Sequence, residues 1–305
     1  MKRVLAGTAL CVAALVAAGP SFAGLKAGEP DLAYGAYQRG YYRTAFKEAM
    51  KRVEADPHDA AAMTLIGELF AEGVGAPYNL DEAMKWDKLA AEQGDMNAQY
   101  ALANAYLNGK GEPKDLATAR AWFEKAAAQG HAGALFNLGV FALEGNGVAA
   151  NFALATQDFR RSAELGFPDA AYALALLYRE GQGVAQNSTE AAQWLKRAAE
   201  EGYLAAEVEY GIALFNGDGV PADEQGGAKW LVRAANRNNA IAQDRVARMY
   251  FAGRGLKQDR VEGAKWAILA ASAGLRDNWL DNETNKLSPD ERKKVEQAIK
   301  TYLGR

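Results

Sequence analysis

Apolar and polar positions in this chain recur in blocks of 36 residues, and within each block the apolar ones return at helical spacing. Six Gly-x-Gly pairs mark the blocks: Gly73/Gly75, Gly109/Gly111, Gly145/Gly147, Gly181/Gly183, Gly217/Gly219 and Gly253/Gly255. An apolar run precedes each pair, Ala60 to Ala71 in the first block. Ala83, Trp86 and Ala90 follow it and share one helical face. The pattern predicts a helix A, a glycine turn and a helix B in every block. A fixed period of roughly 20 to 50 residues marks a solenoid, in which each unit buries its apolar face only against its neighbours. The expected fold class is all-α, a solenoid of helix-turn-helix repeats.

Residues that start and stop helices keep the same phase. Asn79, Asp115, Asn151, Asn187, Asp223 and Asp259 read as N-caps of helix B, with Glu82, Glu190 and Glu262 placed to complete capping boxes. Gly94, Gly130, Gly166, Gly202, Asn238 and Gly274 read as left-handed helix terminators, a position that accepts Asn after Gly. Ala62, Ala98, Ala134, Ala170, Ala206 and Ala242 hold one small position of helix A, so close helix contact is expected there. Trp86, Trp122, Trp194, Trp230 and Trp266 share one position of helix B, with Asp158 in the third block. They are expected to fill the volume between helices A and B.

The stretch ALANAYLNGKGEPKDLATARAWFEKAAAQG, Ala101 to Gly130, resembles the Sel-one-like repeat family, relatives of the tetratricopeptide repeats, and the likeness covers residues 60 to 274. The resemblance implies a right-handed α/α superhelix whose concave face, lined by helix A, holds other proteins, and it implies no chemistry. Departures are Asp158, Ser162, Asn238, and Gly227 and Gly263 where other blocks carry Ala. Residues 24–59, with Gly40, Tyr42, Ala45 and Asp56-Pro57, resemble an ordinary tetratricopeptide hairpin. Residues 275–305 read as C-terminal capping helices, the last opened by Ser288, Pro289 and Glu291.

Lys2 and Arg3 precede an apolar run from Val4 to Ala18, followed by Gly19, Pro20 and Ser21-Phe22-Ala23. Residues 1–23 read as a secretory signal peptide cut after Ala23, and the run is shorter than the roughly 20 residues a membrane span needs. Cleavage removes Cys11, the only cysteine, and leaves 33 of the 35 basic residues against 38 acidic ones. That balance disfavours nucleic acid as a partner. A periplasmic location is the expectation, with export beyond the cell as the alternative.

Catalytic patterns are absent from the sequence. His58 and His131 have no second ligand close in sequence, and no G-x-S-x-G, phosphate-loop or H-E-x-x-H pattern occurs. The Gly-x-Gly pairs join helix to helix, so they are no nucleotide fingerprint. No enzyme, cofactor or metal is expected. The expected partner is therefore a protein, a periplasmic one or a membrane-protein ectodomain. The register of the resemblance assigns it to helix A residues Tyr100, Asn104, Leu107, Phe136, Val140, Leu143, Tyr172, Leu176, Arg179, Ile212, Phe215, Arg248 and Phe251. For Tyr100, Phe136 and Tyr172 two readings stay open, partner contact and packing on the next helix A. Secreted members of the family that restrain envelope signalling proteins offer one analogy. A glycan or peptidoglycan binder that stacks sugars on these rings is the alternative function.

Overall fold

Helix and turn follow the 36-residue frame closely in a computed structural model that describes residues 31–145 and 149–304. The proposed leader and its cleavage point lie outside the described residues. An N-terminal hairpin, α1 (Leu32–Gln38) and α2 (Tyr42–Ala55), comes first. Six A/B pairs follow: α3 (Ala60–Glu72) with α4 (Leu80–Glu92), α5 (Met96–Asn108) with α6 (Leu116–Ala128), and α7 (Ala132–Glu144) with α8 (Phe152–Glu164). Then come α9 (Pro168–Glu180) with α10 (Ser188–Glu200), α11 (Leu204–Asn216) with α12 (Glu224–Asn236), and α13 (Ala240–Ala252) with α14 (Arg260–Ser272). Two further helices, α15 (Asn278–Asn285) and α16 (Pro289–Leu303), close the chain. No strand occurs among the described residues.

The chain divides into two compact units between Ala134 and Leu135. In the first, α1 to α5 each pack on the next helix in sequence. In the second the same holds from α8 to α14, and α14 also carries α15 and α16. This nearest-neighbour pattern defines a helical-hairpin solenoid.

Local chemistry accounts for the element boundaries. All six Asn and Asp caps of helix B accept a backbone N–H from their first turn. The reciprocal half of the capping box forms at Ser288/Glu291 of α16, whereas Glu82 and Glu262 turn forward to ion pairs with Lys85 and Lys265. Each helix B ends on a left-handed residue, and Asn238 at φ 62° is the one non-glycine there among the described residues. The second glycine of the pair has a reason beyond its φ. A Cβ on Gly219 would lie 2.1 Å from the carbonyl oxygen of Ser188, and one on Gly75 2.4 Å from that of Tyr42. The turn after a helix A thus rests on the first residue of the preceding helix B, too close for any side chain.

The interior is filled by a residue that the periodicity did not single out. Immediately after four of the six Trp-register positions stand Phe123, Phe159, Leu195 and Leu231, all buried, with Phe123 at 0 % exposure. Glycines of helix A make room for two of them: a Cβ on Gly139 would meet the Phe159 ring at 2.6 Å, and one on Gly211 would meet Leu231 at 2.9 Å. Removing such a side chain costs about 3–5 kcal/mol for Phe. The tryptophans correct the expectation placed on them. Trp86, Trp122, Trp194 and Trp230 are half-buried, and only Trp266 of the row is buried, at 3 %. Cations lie over the rings of Trp122, Trp194, Trp230 and Trp266, with Lys125 Nζ 3.5 Å from the Trp122 centroid and the Arg233 guanidinium 5.2 Å from that of Trp230.

Candidate functional site

The three ring residues of the first groove row are packed, each against the N-terminal end of the next helix A. In the first unit Tyr100 stacks on His131 at 4.2 Å and 22° and tilts against Phe123. In the second, Phe136 lies 5.2 Å from Phe167 and Tyr172 lies 4.9 Å from Tyr203. His131, Phe167 and Tyr203 are 36 residues apart, at the point where Asp59, Asp95 and Asn239 cap their helices through side-chain oxygens. Phe167 and Tyr203 make no side-chain cap bond, so ring contact replaces capping there. His131 does both, because its Nδ1 accepts the Ala134 N–H at 3.1 Å. Burial pushes its pKa down to about 4, which keeps the ring neutral and Nδ1 free to accept.

The remaining groove residues divide by environment. Asn104 donates its side-chain amide to the Tyr100 carbonyl, one turn back on α5. Leu107 and Leu176 are half-buried. Val140 and Leu143 pack against the core of the second unit. Arg179 is exposed and ion-paired with Glu209, which also accepts the Tyr172 hydroxyl at 2.6 Å. Burial first, then this bond to a carboxylate, holds the Tyr172 hydroxyl above its ordinary pKa. Phe251 is not groove surface. It is 6 % exposed, edge-on to Trp279 of α15, and its ring lies 2.9 Å from where a Cβ on Gly263 would sit.

Ile212, Phe215 and Arg248 are brought together, and they line a cavity of about 200 Å³ between α11 and α13. Leu231 and Met249 form its floor, and Asn216, Ala252, Arg245 and Arg254 complete the wall. Three arginines line it and no Asp or Glu does. Arg248 pairs with Asp244 and Asp277 and lies 5.3 Å over the Trp279 ring. Arg254 pairs with Glu224 and covers Phe215 at 4.8 Å. Arg245 and Arg254 escaped the sequence reading. The register row that yields Arg248 skips Arg245, and Arg254 sits inside a Gly-x-Gly pair, whose spacing signals only a turn.

No group of His, Cys, Asp and Glu fit to hold a metal occurs among the described residues. No helix among them is long and apolar enough to cross a membrane. His58 is exposed, 3.1 Å from the Gln93 side chain.

Stacked helical hairpins with shape set by glycine turns and small-residue contacts define a repeat scaffold. The Sel1 repeat family matches over residues 60–95, 97–131, 132–167, 168–203, 204–239 and 240–275, and the chain belongs to that family. It is similar to a solved Sel1 repeat protein from Oxalobacter formigenes, at 31% identity and a TM-score of 0.71, over 79% of this chain and 98% of that one. A protective antigen of uropathogenic Escherichia coli displaying an SLR fold matches at 26% identity and a TM-score of 0.54, over 90% of this chain and 67% of that one. No curated protein matches. The family's fold is a non-catalytic scaffold whose members generally mediate protein–protein interaction.

Proposed function

We propose that this chain is a non-catalytic scaffold of the bacterial envelope that holds a protein segment on its helix A surface, exported by a leader cut after Ala23. The observation that carries this reading is the convergence of Ile212, Phe215 and Arg248, from two successive helices A, on one open cavity. An apolar recess rimmed by arginine is the kind of place where interface anchors dock. A periplasmic protein or a membrane-protein ectodomain is the partner class, and restraint of an envelope signalling protein is one role such binding serves. The glycan alternative is less favoured, because sugar stacking needs free ring faces. Those of Tyr100, Phe136 and Tyr172 are engaged by His131, Phe167 and Tyr203.

Photo-crosslinking in intact cells tests this, with a photoreactive residue placed at Ile212 or Leu176 and, as a control, at exposed Gln193 of α10. A discrete protein adduct from the first two positions and not from the third supports the scaffold. Retention on purified cell wall with no protein adduct would replace it with the glycan reading. Fractionation of the tagged chain checks the location, and an unprocessed protein confined to the cytoplasm would end the envelope reading.

A further inference from the structure

The α11/α13 cavity states more than that something binds there. We infer that its occupant is an acidic peptide segment that inserts one aliphatic or aromatic side chain and sets its carboxylates on Arg245 and Arg254. This rests on the scaffold reading above and names the chemistry of the partner.

Size is the first argument. About 200 Å³ is below the roughly 300 Å³ at which small-molecule sites begin, and it suits a single apolar side chain. The lining supplies the second. Ile212, Phe215, Leu231 and Met249 offer apolar lining, while every charged residue of the lining is an arginine. Two of the three arginines are already committed in different ways. Arg248 is held from both sides by Asp244 and Asp277, which makes it a fixed wall. Arg254 is 60 % exposed and its partner Glu224 39 %, so that pair is a surface one and exchanges easily for another carboxylate. Arg245 is exposed and has no ion-pair partner among the described residues. A free guanidinium beside an apolar recess recognises a planar carboxylate through two parallel N–H donors, which Lys cannot reproduce. Arginine clusters read acidic motifs in this way, and the apolar anchor supplies the burial that a surface ion pair lacks.

The test is selection of binders by the full mature chain from a phage-displayed library of random dodecapeptides. Selected peptides should carry Asp or Glu flanking a Leu, Ile, Phe or Trp. Their synthetic, fluorescein-labelled forms should bind with an affinity that falls steeply from low to high salt. Arg245→Glu should weaken binding about tenfold or more, and Arg245→Lys should restore only part of it. Arg245 is exposed, so this exchange leaves folding intact, and an unchanged thermal melt by circular dichroism confirms it. Neutral or basic selected sequences, acidic ones indifferent to Arg245→Glu, or no enrichment at all would overturn the inference. Neutral peptides blocked by Ile212→Asp would sink the acidic occupant and leave the scaffold standing, whereas the scaffold itself falls only with the crosslinking result.

Discussion

The first and fifth repeats share backbone, caps and turns, yet solve one interior position in opposite ways. Leu231 of α12 is 2 % exposed and sits over Gly211. Its counterpart in α4 is Asp87, whose carboxylate oxygen lies 2.4 Å from where a Cβ on Gly67 would be. Burial first, then the nearby charges of Glu68 and Asp95, push Asp87 up to about 7. Glu68 is also raised by burial, although it accepts the Tyr37 hydroxyl at 2.7 Å. The contrast extends to the helix A surface. Glu68 in the first repeat stands at the register position of Arg248 in the sixth, so one unit gathers carboxylates and the other guanidinium groups. A repeat frame tolerates this because backbone geometry is set by glycine, alanine and the caps, while other side chains are free to differ.

The comparison breaks most sharply if the residues are exchanged. Leu231→Asp in the fifth repeat is expected to cost at least about 4 kcal/mol, through lost apolar burial plus an unpaired carboxylate. Chemical denaturation followed by circular dichroism measures it, and a cost under about 1 kcal/mol would mean the site is not interior.

Acid titration sharpens it next. A carboxyl raised from 3.8 to about 7 keeps its proton in the folded state. Asp87 therefore contributes stability that is full below pH 3.8 and is lost as pH rises to about 7, at most about 1.4 kcal/mol per pH unit. His131, lowered from 6.5 to about 4, acts oppositely. Its contribution is full above pH 6.5 and is lost as pH falls toward 4. Both lie in the first unit, so the two slopes largely cancel between pH 4 and 6.5. Asp87→Leu should unmask stability that rises with pH, and His131→Asn stability that falls. Amide hydrogen exchange of α3 to α6, read as a slope against pH, decides this, and unchanged slopes in both variants would refute it.

Smaller effects complete the series. At pH 7.5, Asp87→Leu should stabilise the first unit by about 2 kcal/mol, since Leu over Gly is the arrangement already present at Gly211. Glu68→Gln keeps an acceptor for Tyr37 and removes one charge near Asp87. It should shift stability by less than about 1 kcal/mol while lowering the pH at which Asp87 ionises, as carboxyl NMR of Asp87 would show.

Much of this molecule was legible as text. Helix boundaries followed from caps at Asn79 through Asp259 and from left-handed terminators, Asn238 included, because those positions depend on the residue's own conformational limits and on neighbours within one turn. The repeat class followed from period alone. Depth did not. Trp122, Trp194 and Trp230, conspicuous by recurrence, lie half-buried under cations, while the plainer residue after each takes the interior. Phe251 has the same register as Phe215, but α15 covers one and leaves the other at a cavity. Nor could spacing show that His131, Phe167 and Tyr203 would occupy the ring faces of the preceding repeat.

The amino-acid order by itself determined the period, the helices, their ends and the glycine turns, since each is a local matter of φ, ψ and hydrogen bonds within a few residues. Only the folded arrangement decided which apolar side chains are enclosed, which arginine is left unpaired and where a recess opens. Those outcomes depend on atoms brought together across 30 or more residues, as Arg254 and Glu224 are, and no pattern along one strand of sequence encodes the distance between them.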